Sequence, residues 1–175
     1  SAVCENAGAA LIFHPQPEEM YHKDFSSFVD MNTLTKGLCG KTRPIHFRGV
    51  CTVVSKLFNI VQPDKAYFGQ KDAQQLAVIR HMVSDLNFGI EIVGCPIVRE
   101  ADGLAKSSRN TYLNGQERKA AVVLNQSLQA AQDLYENGER SAAVLSAAIR
   151  EKLAAEPLAK PDYVEIVDWN TLEPV

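Results

Sequence analysis

The chain has 175 residues, 46% of them hydrophobic and 22% charged, with a formal net charge of −3. That is the make-up of a soluble globular protein with one large domain or two small ones, and its mildly acidic balance excludes the basic footprint of a nucleic-acid binder. No stretch approaches the roughly 18 apolar residues of a membrane span and no cationic segment precedes the first apolar run, so the expectation is a cytoplasmic protein with no membrane partner.

The elements follow in chain order. Val3 to Ala7 read as the tail of a helix stopped by Gly8. The apolar run "AALIF", residues 9–13, lies between Gly8 and "HPQP" and predicts a short buried strand. "FSSFVDM", residues 25–31, alternates and predicts an edge strand. Val50, Val53, Val54, Leu57, Phe58 and Val61 fall at i, i+3, i+4, i+7, i+8 and i+11, which places them on one face of a helix from Phe47 that Pro63 ends. "KAYFG", residues 65–69, follows as a strand, and Leu76, Ile79, Val83 and Leu86 mark the next helix. "IEIVGCPIV", residues 90–98, has the β-branched content of a strand covered on both faces. Strand, helix and strand at this spacing predict βαβ units and a parallel sheet, whose ligands sit beyond the carboxyl ends of the strands.

After "READGLAKSSRN", residues 99–110, the character changes. Asn114 and Glu117 open a long Ala-rich helix that runs to about Asn137, with Gly138 as its stop. A second helix is expected from Ser141 to Ala155, and "PDYVEIVDW", residues 161–169, alternates as a strand. The expected division is 1–106 and 107–175. The opening on a helix tail and the closing on a strand and turn also suggest a piece of a longer protein.

Three polar segments carry the chemistry. Gly69, Gln70, Lys71 and Asp72 lie between a strand end and a helix start, where free N–H groups favour an anion. Lysine adds a full charge for a phosphate, aspartate accepts from ribose hydroxyls, and glycine lets a ligand approach. A capping aspartate beside a solvated lysine accounts for the same residues. "DGLAKSSRN" places Lys106, Ser107, Ser108 and Arg109 together, hydroxyls and cations that can wrap a triphosphate; an ordinary polar linker reads the same way. "TRPIHFRGV" sets Arg43, His46 and Arg48 at a helix start, where cations oppose the dipole and a bound carboxylate, or solvent, would compensate. Cys4, Cys39, Cys51 and Cys95 form no C-x-x-C pair and the four histidines are scattered, so buried thiols and no metal site are expected.

In this order and spacing, "RPIHFRGVCTVVSKLFNIVQPDKAYFGQKDAQQLAVIRHMV" and "VGCPIVREADGLAKSSRNTYL" resemble the pantoate–β-alanine ligases, or pantothenate synthetases, nearly residue for residue. That family belongs to the nucleotidyltransferase superfamily related to class I aminoacyl-tRNA synthetases. The resemblance implies an α/β fold: the second part of a Rossmann-like ATP- and pantoate-binding domain, followed by a smaller α+β lid domain. It implies ATP and Mg²⁺, the substrates pantoate and β-alanine, a pantoyl-adenylate intermediate, release of AMP and pyrophosphate, and a homodimer in the full-length protein.

Residue by residue, the resemblance assigns Lys71 to the ATP phosphates and Gly69 and Asp72 to the ribose. Gln75 would hydrogen-bond pantoate, and Phe68, Val50, Val53 and Val54 would wall its gem-dimethyl group. Val98 would meet adenine through its backbone. Ser107, Ser108 and Arg109 match the phosphate loop and, with Lys71, are the implied catalytic set. Arg43 and His46 line the β-alanine approach. Lys106 stands where family members carry an apolar residue, often methionine, and puts an added charge beside the phosphates. Family members also carry a "PTMGxLHxGH" segment whose two histidines stabilise the transferring phosphate. No such segment occurs in these 175 residues, so the chain alone is expected to be inactive. The alternatives are another nucleotidyltransferase of the superfamily, or a non-catalytic nucleotide-binding module.

Overall fold

A computed structural model describes residues 2–175. Its centre is a helix, a strand, a helix and a strand: α4 (His46–Val61), β1 (Lys65–Gly69), α5 (Ala73–Asp85) and β2 (Glu91–Cys95). The strands pair in parallel from Lys65 opposite Glu91 to Gly69 opposite Cys95. Parallel neighbours need a crossover, which α5 supplies, so this is the expected α/β class built on a βαβ unit. Before α4 come three short helices, α1 (Ala2–Asn6), α2 (Pro17–Met20) and α3 (Cys39–Thr42); after β2 come α6 (Gly115–Ala120), α7 (Val123–Glu136) and α8 (Ala142–Ala154).

The face read from the sequence is buried in part: Val54 and Phe58 of α4 and Leu76, Ile79 and Val83 of α5 are buried, Val50, Val53 and Leu57 are half-buried, and Val61 and Leu86 lie at the helix ends 53% and 50% exposed. Phe47, Cys51, Val54 and Phe58 of α4 meet Ala77, Val78, Ile79, Met82 and Val83 of α5 in one core. Phe58 packs edge-to-face on Phe68 of β1 at 6.5 Å and on Phe88 at 5.7 Å between ring centres. Val78, Ile79 and Met82 have no exposed surface, and burying each side chain of this size contributes roughly 1.5–3 kcal/mol. Gly94 of β2 sets how closely α5 lies: a Cβ there would stand 3.0 Å from both Leu76 Cδ2 and Arg80 Nη2. A second apolar cluster joins Val123 of α7, Ile149 and Leu153 of α8, and Val164.

Helix starts and stops match their residues. Asn114 Oδ1 accepts from the amides of Gln116 and Glu117 at 2.9 Å each, and Glu117 Oε2 accepts from the Asn114 amide, a full capping box for α6. Ser141 caps α8, and Gly138, at φ +101°, closes α7 in the left-handed region.

Four expectations need correction. Residues 9–13 form no strand, and Leu11 is 80% exposed, because an apolar run becomes a strand only when a ladder partner lies beside it. Residues 25–31 likewise stay irregular. They are tied to α4 by Thr52, whose Oγ1 accepts from the Val29 amide at 3.0 Å, and by Arg48, 3.8 Å over the Phe28 ring. The long helix expected from Asn114 breaks between α6 and α7, where the β-branched pair Val122–Val123 lies within a turn of i→i+3 bonds from the Leu124 and Asn125 amides to the Ala121 and Val122 carbonyls. Residues 161–169 form only an isolated bridge, Val167 to Pro174, since Asp168 turns the chain by accepting from the Asn170 and Thr171 amides. That turn returns Leu172 to the α4–α5 core, where it is 8% exposed.

Candidate functional site

The carboxyl ends of both strands point to one edge of the molecule, and each opens into a polar turn. β1 ends at Gly69 and passes through a single 3₁₀ turn, Gln70–Asp72, before α5 begins. The turn lifts Lys71 and Asp72 off the sheet. Lys71 Nζ stands 4.0 Å from Asp72 Oδ1 with 39% and 64% of the two side chains exposed, a loose pair that leaves the lysine's donors facing solvent. Gly69 has φ −72°, which any residue adopts, and a Cβ added there would meet nothing within 4 Å. The fold itself therefore does not require glycine at this point. Gln75, one turn further along α5, is half-buried.

β2 opens into a hairpin. The Lys106 amide donates to the Val98 carbonyl at 2.9 Å, Arg99 pairs with Ala105, and Gly103, at φ +94°, makes the turn. The tip is anchored from outside: Asp102 forms an ion pair with Arg118 of α6 at 2.8 Å, and its Oδ1 also accepts from the Leu104 amide. Hydrogen bonding to Arg118 and to that amide holds the Asp102 carboxyl below the ordinary carboxylate range. A rigid hairpin thus delivers the next residues. Ser107 caps the 3₁₀ turn Ser108–Tyr112 by accepting from the Arg109 amide at 3.2 Å, and Asn110 donates to the Ala105 carbonyl at 3.0 Å. The side chains of Lys106, Ser108 and Arg109 have no hydrogen-bond or ion-pair partner among the described residues.

The third segment enters from α3. Arg43 ends that helix and His46 opens α4. The His46 imidazole is pushed below the ordinary histidine value by burial first, then by Arg43 and Arg109, while Asp72 opposes them. Arg43, Arg109 and Asp72 all act on this one ring, so the three polar segments, far apart in sequence, lie within electrostatic reach of His46. Cations outnumber carboxylates there, which suits an anion.

The apolar positions divide. Val54 is given over to the core, whereas Val50, Val53 and Phe68 lie at its margin, half-buried. Val98 is 65% exposed and its carbonyl already accepts from Lys106, so a further partner would meet its amide or second lone pair. A cavity of about 450 Å³ lined by Arg80, Val83, Asn87 and Phe88 sits at the far end of α5 and shares no residue with the polar edge. Cys39, Cys51 and Cys95 are free thiols, and burial pushes Cys51 up to about 11.

Comparison with known proteins decides the family. A sequence model described as Pantoate-beta-alanine ligase matches residues 1–175. The chain belongs to the pantoate–β-alanine ligase family. It is 59% identical over 173 residues to the pantothenate synthetase of Clostridium acetobutylicum, covering 99% of this chain and 62% of that protein. It is 60% identical over 175 residues to the pantothenate synthetase of Heliobacterium modesticaldum, again 62% of its length. The crystal structure of pantothenate synthetase from Thermus thermophilus superposes with a TM-score of 0.96 at 48% identity, covering 99% of this chain and 63% of that one. A more distant ligase of the family, from Francisella tularensis and complexed with "Beta-gamma ATP" and β-alanine, gives 0.70 at 27% identity over 87% of this chain and 56% of that one. The chain thus spans about 62% of the length of the curated relatives it matches. The likeness to ligase structures over nearly all of its residues makes the βαβ unit part of a Rossmann-like fold.

Within this ligase-family fold, some residues of consequence carried no motif. Gln74, 7% exposed, turns its whole amide inward, and Asp162 accepts from Thr42 Oγ1 at 3.1 Å, joining residues that are 120 positions apart. For Gln74 a signal was present, since it stands three and four residues before Ala77 and Val78 on the apolar face of α5.

The depressed His46 gives a stability prediction. Between its lowered folded value and the ordinary 6.5, the unfolded chain binds more protons, so stability rises with pH in that window and is lost as pH falls through it. Urea unfolding at stepped pH is expected to show His46→Gln losing less stability than the parent below about pH 6.5. Parallel curves for the two proteins would remove His46 as the cause.

Proposed function

We propose that this chain supplies the ATP- and pantoate-facing part of an AMP-forming pantoate–β-alanine ligase. A pantoate carboxylate oxygen attacks the α-phosphorus of ATP, the bond from that phosphorus to the bridging oxygen breaks, and pyrophosphate leaves. The β-alanine amine then attacks the acyl carbon of the mixed anhydride, the acyl C–O bond breaks, AMP departs, and the amine loses a proton as the amide forms. Both steps need donors aimed at phosphate oxygens and a site that keeps water from the anhydride.

The observation that carries this reading is the convergence on His46 of Arg43, Arg109 and Asp72, one from each polar segment. Lys71, Ser108 and Arg109 face the phosphates, with Lys106 adding charge and Ser107 free to donate its hydroxyl while it caps. Asp72 accepts from the ribose hydroxyls, and Val98 meets adenine. Gln75 takes pantoate's polar end, and Phe68, Val50, Val53 and Val54 its methyl groups, Val54 from beneath. Arg43 suits the carboxylate of β-alanine, and a neutral His46 adds no charge against its ammonium. Among the described residues no three His, Cys, Asp or Glu side chains gather as a metal cage. This donor set fits an Mg²⁺ carried in by nucleotide phosphates, with Asp72 the near carboxylate, and its chemistry is charge neutralisation on those phosphates.

In this reading residues 1–106 hold ATP and pantoate, residues 107–175 act as a lid, and the whole protein is a cytoplasmic homodimer. The direct test is a chimera in which the chain replaces the matching region of the Clostridium acetobutylicum relative. It is expected to release AMP only when pantoate and β-alanine are both present.

Gly69 offers a finer check. Because a Cβ there meets nothing in the fold, Gly69→Ala is expected to leave the melting temperature within the scatter of a surface substitution, about ±0.5 kcal/mol in stability. The same methyl would stand in the path of the nucleotide and weaken ATP binding by calorimetry about tenfold or more. Unchanged affinity would move the ribose elsewhere.

A further inference from the structure

The two glutamines of "DAQQL" have opposite surroundings. Gln75 is half-buried with no hydrogen-bond partner among the described residues, whereas Gln74 is 7% exposed and fully bonded. Its Nε2 donates to the carbonyls of Leu34 at 2.9 Å and Gly37 at 3.0 Å, and its Oε1 accepts from the Cys39 amide at 3.1 Å. A single side chain thus satisfies three backbone groups of one loop across six residues. The loop does not hold this shape on local preference. Leu38 sits at φ 52°, ψ −132°, a region that non-glycine residues rarely occupy, and a Cβ on Gly40 would lie 1.9 Å from the Thr35 carbonyl oxygen. Leu38 also gives α3 no side-chain cap, so Gln74 takes the place of a cap from another helix.

What this loop delivers is α3, with Arg43 at its end and His46 three residues later, the His46 amide donating to the Arg43 carbonyl at 3.0 Å. Gln74 is two residues from Asp72, so it ties the phosphate-side turn to the segment that carries Arg43 and His46. Backbone conformations of this kind persist where surrounding contacts over-determine them, and they cluster where geometry must be held for function. We propose that Gln74 is a positioning residue, which clamps the strained 34–39 loop and thereby sets Arg43 and His46 against Asp72 and Arg109. The purpose of that geometry rests on the ligase reading above; the clamp itself does not.

The test uses the 175-residue chain without substrates. Gln74→Met keeps most of the volume and removes all three bonds. By NMR, the Cys39 amide is expected to exchange on the order of 30- to 100-fold faster than in the parent. The His46 ring is expected to titrate at higher pH, closer to an ordinary histidine, as Arg43 moves off and the ring gains water. Faster exchange at Cys39 with an unmoved His46 titration would make Gln74 a structural residue only and overturn the proposal. Unchanged exchange would overturn the clamp as well. If Gln74→Met does not fold, Gln74→Asn keeps the amide but is one methylene too short to reach all three backbone groups at once; it is expected to show both changes in smaller degree, and the absence of both would overturn the proposal. A chimera that makes no AMP would sink the ligase reading and leave these substrate-free readouts standing, so the two failures are distinguishable.

Discussion

Replacing Lys71 with alanine in the chimera is expected to lower kcat/KM by roughly 10²–10³, or about 3–4 kcal/mol of transition-state stabilisation, the range for losing one preorganised donor at a developing oxyanion. The stability cost should be small. Lys71 is 39% exposed and its one ion pair, to Asp72, is 4.0 Å long, a type of contact that contributes at most about 1 kcal/mol and commonly nothing. No buried apolar atom and no cap depends on it. Rate and thermal stability therefore separate at this position. A variant that lost stability in proportion to rate would mark Lys71 as part of the fold and not of the phosphate site.

The second large effect concerns the chain by itself. Supplied with ATP, pantoate and β-alanine, it is expected to release AMP at least about 1,000-fold more slowly than the chimera, the loss that follows from removing even one set of opposed oxyanion donors. The polar edge offers cations from three segments: Lys71 from the turn at the end of β1, Arg109 from the 3₁₀ turn after the Val98–Lys106 hairpin, and Arg43 from the loop before α4. The H-x-G-H histidines that the family resemblance implies are not in these 175 residues. Binding should survive better than chemistry, because the turn at Lys71 and the hairpin from Val98 to Lys106 are held by the chain's own bonds, the Asp102–Arg118 pair among them. Substantial turnover by the chain alone would show that these 175 residues are sufficient.

The βαβ unit and the three polar segments were legible because their signals are local. The i, i+4, i+8 spacing of Val50, Val54 and Phe58 survives any tertiary arrangement that buries one face, and Val54 and Phe58 are indeed in the core. Residues 9–13 and 161–169 were misread for the converse reason. Their β pattern is local, but a strand is a relation between two segments, and neither has a ladder partner among the described residues beyond the single Val167–Pro174 bridge. The site was legible as residue types and not as roles. Nothing in "DAQQL" says which glutamine faces a ligand; the answer lies in where the 34–39 loop passes. Thr42 and Asp162 could not have been paired from sequence, since a hydrogen bond across 120 residues has no periodicity. Ser107 caps a turn in the structure and is proposed to meet phosphate as well, and its spacing gave no sign of the first role.

We propose that the edge formed by Lys71, Asp72, Arg109, Arg43 and His46 activates pantoate on ATP and passes it to β-alanine. The most direct measurement is the stoichiometry of the chimera's reaction, with AMP and the amide product quantified together while pantoate and β-alanine are omitted in turn. One AMP is expected per amide formed, with no AMP when either substrate is left out. Release of AMP with no amide, or a nucleotide conjugate as the final product whether or not β-alanine is supplied, would contradict it.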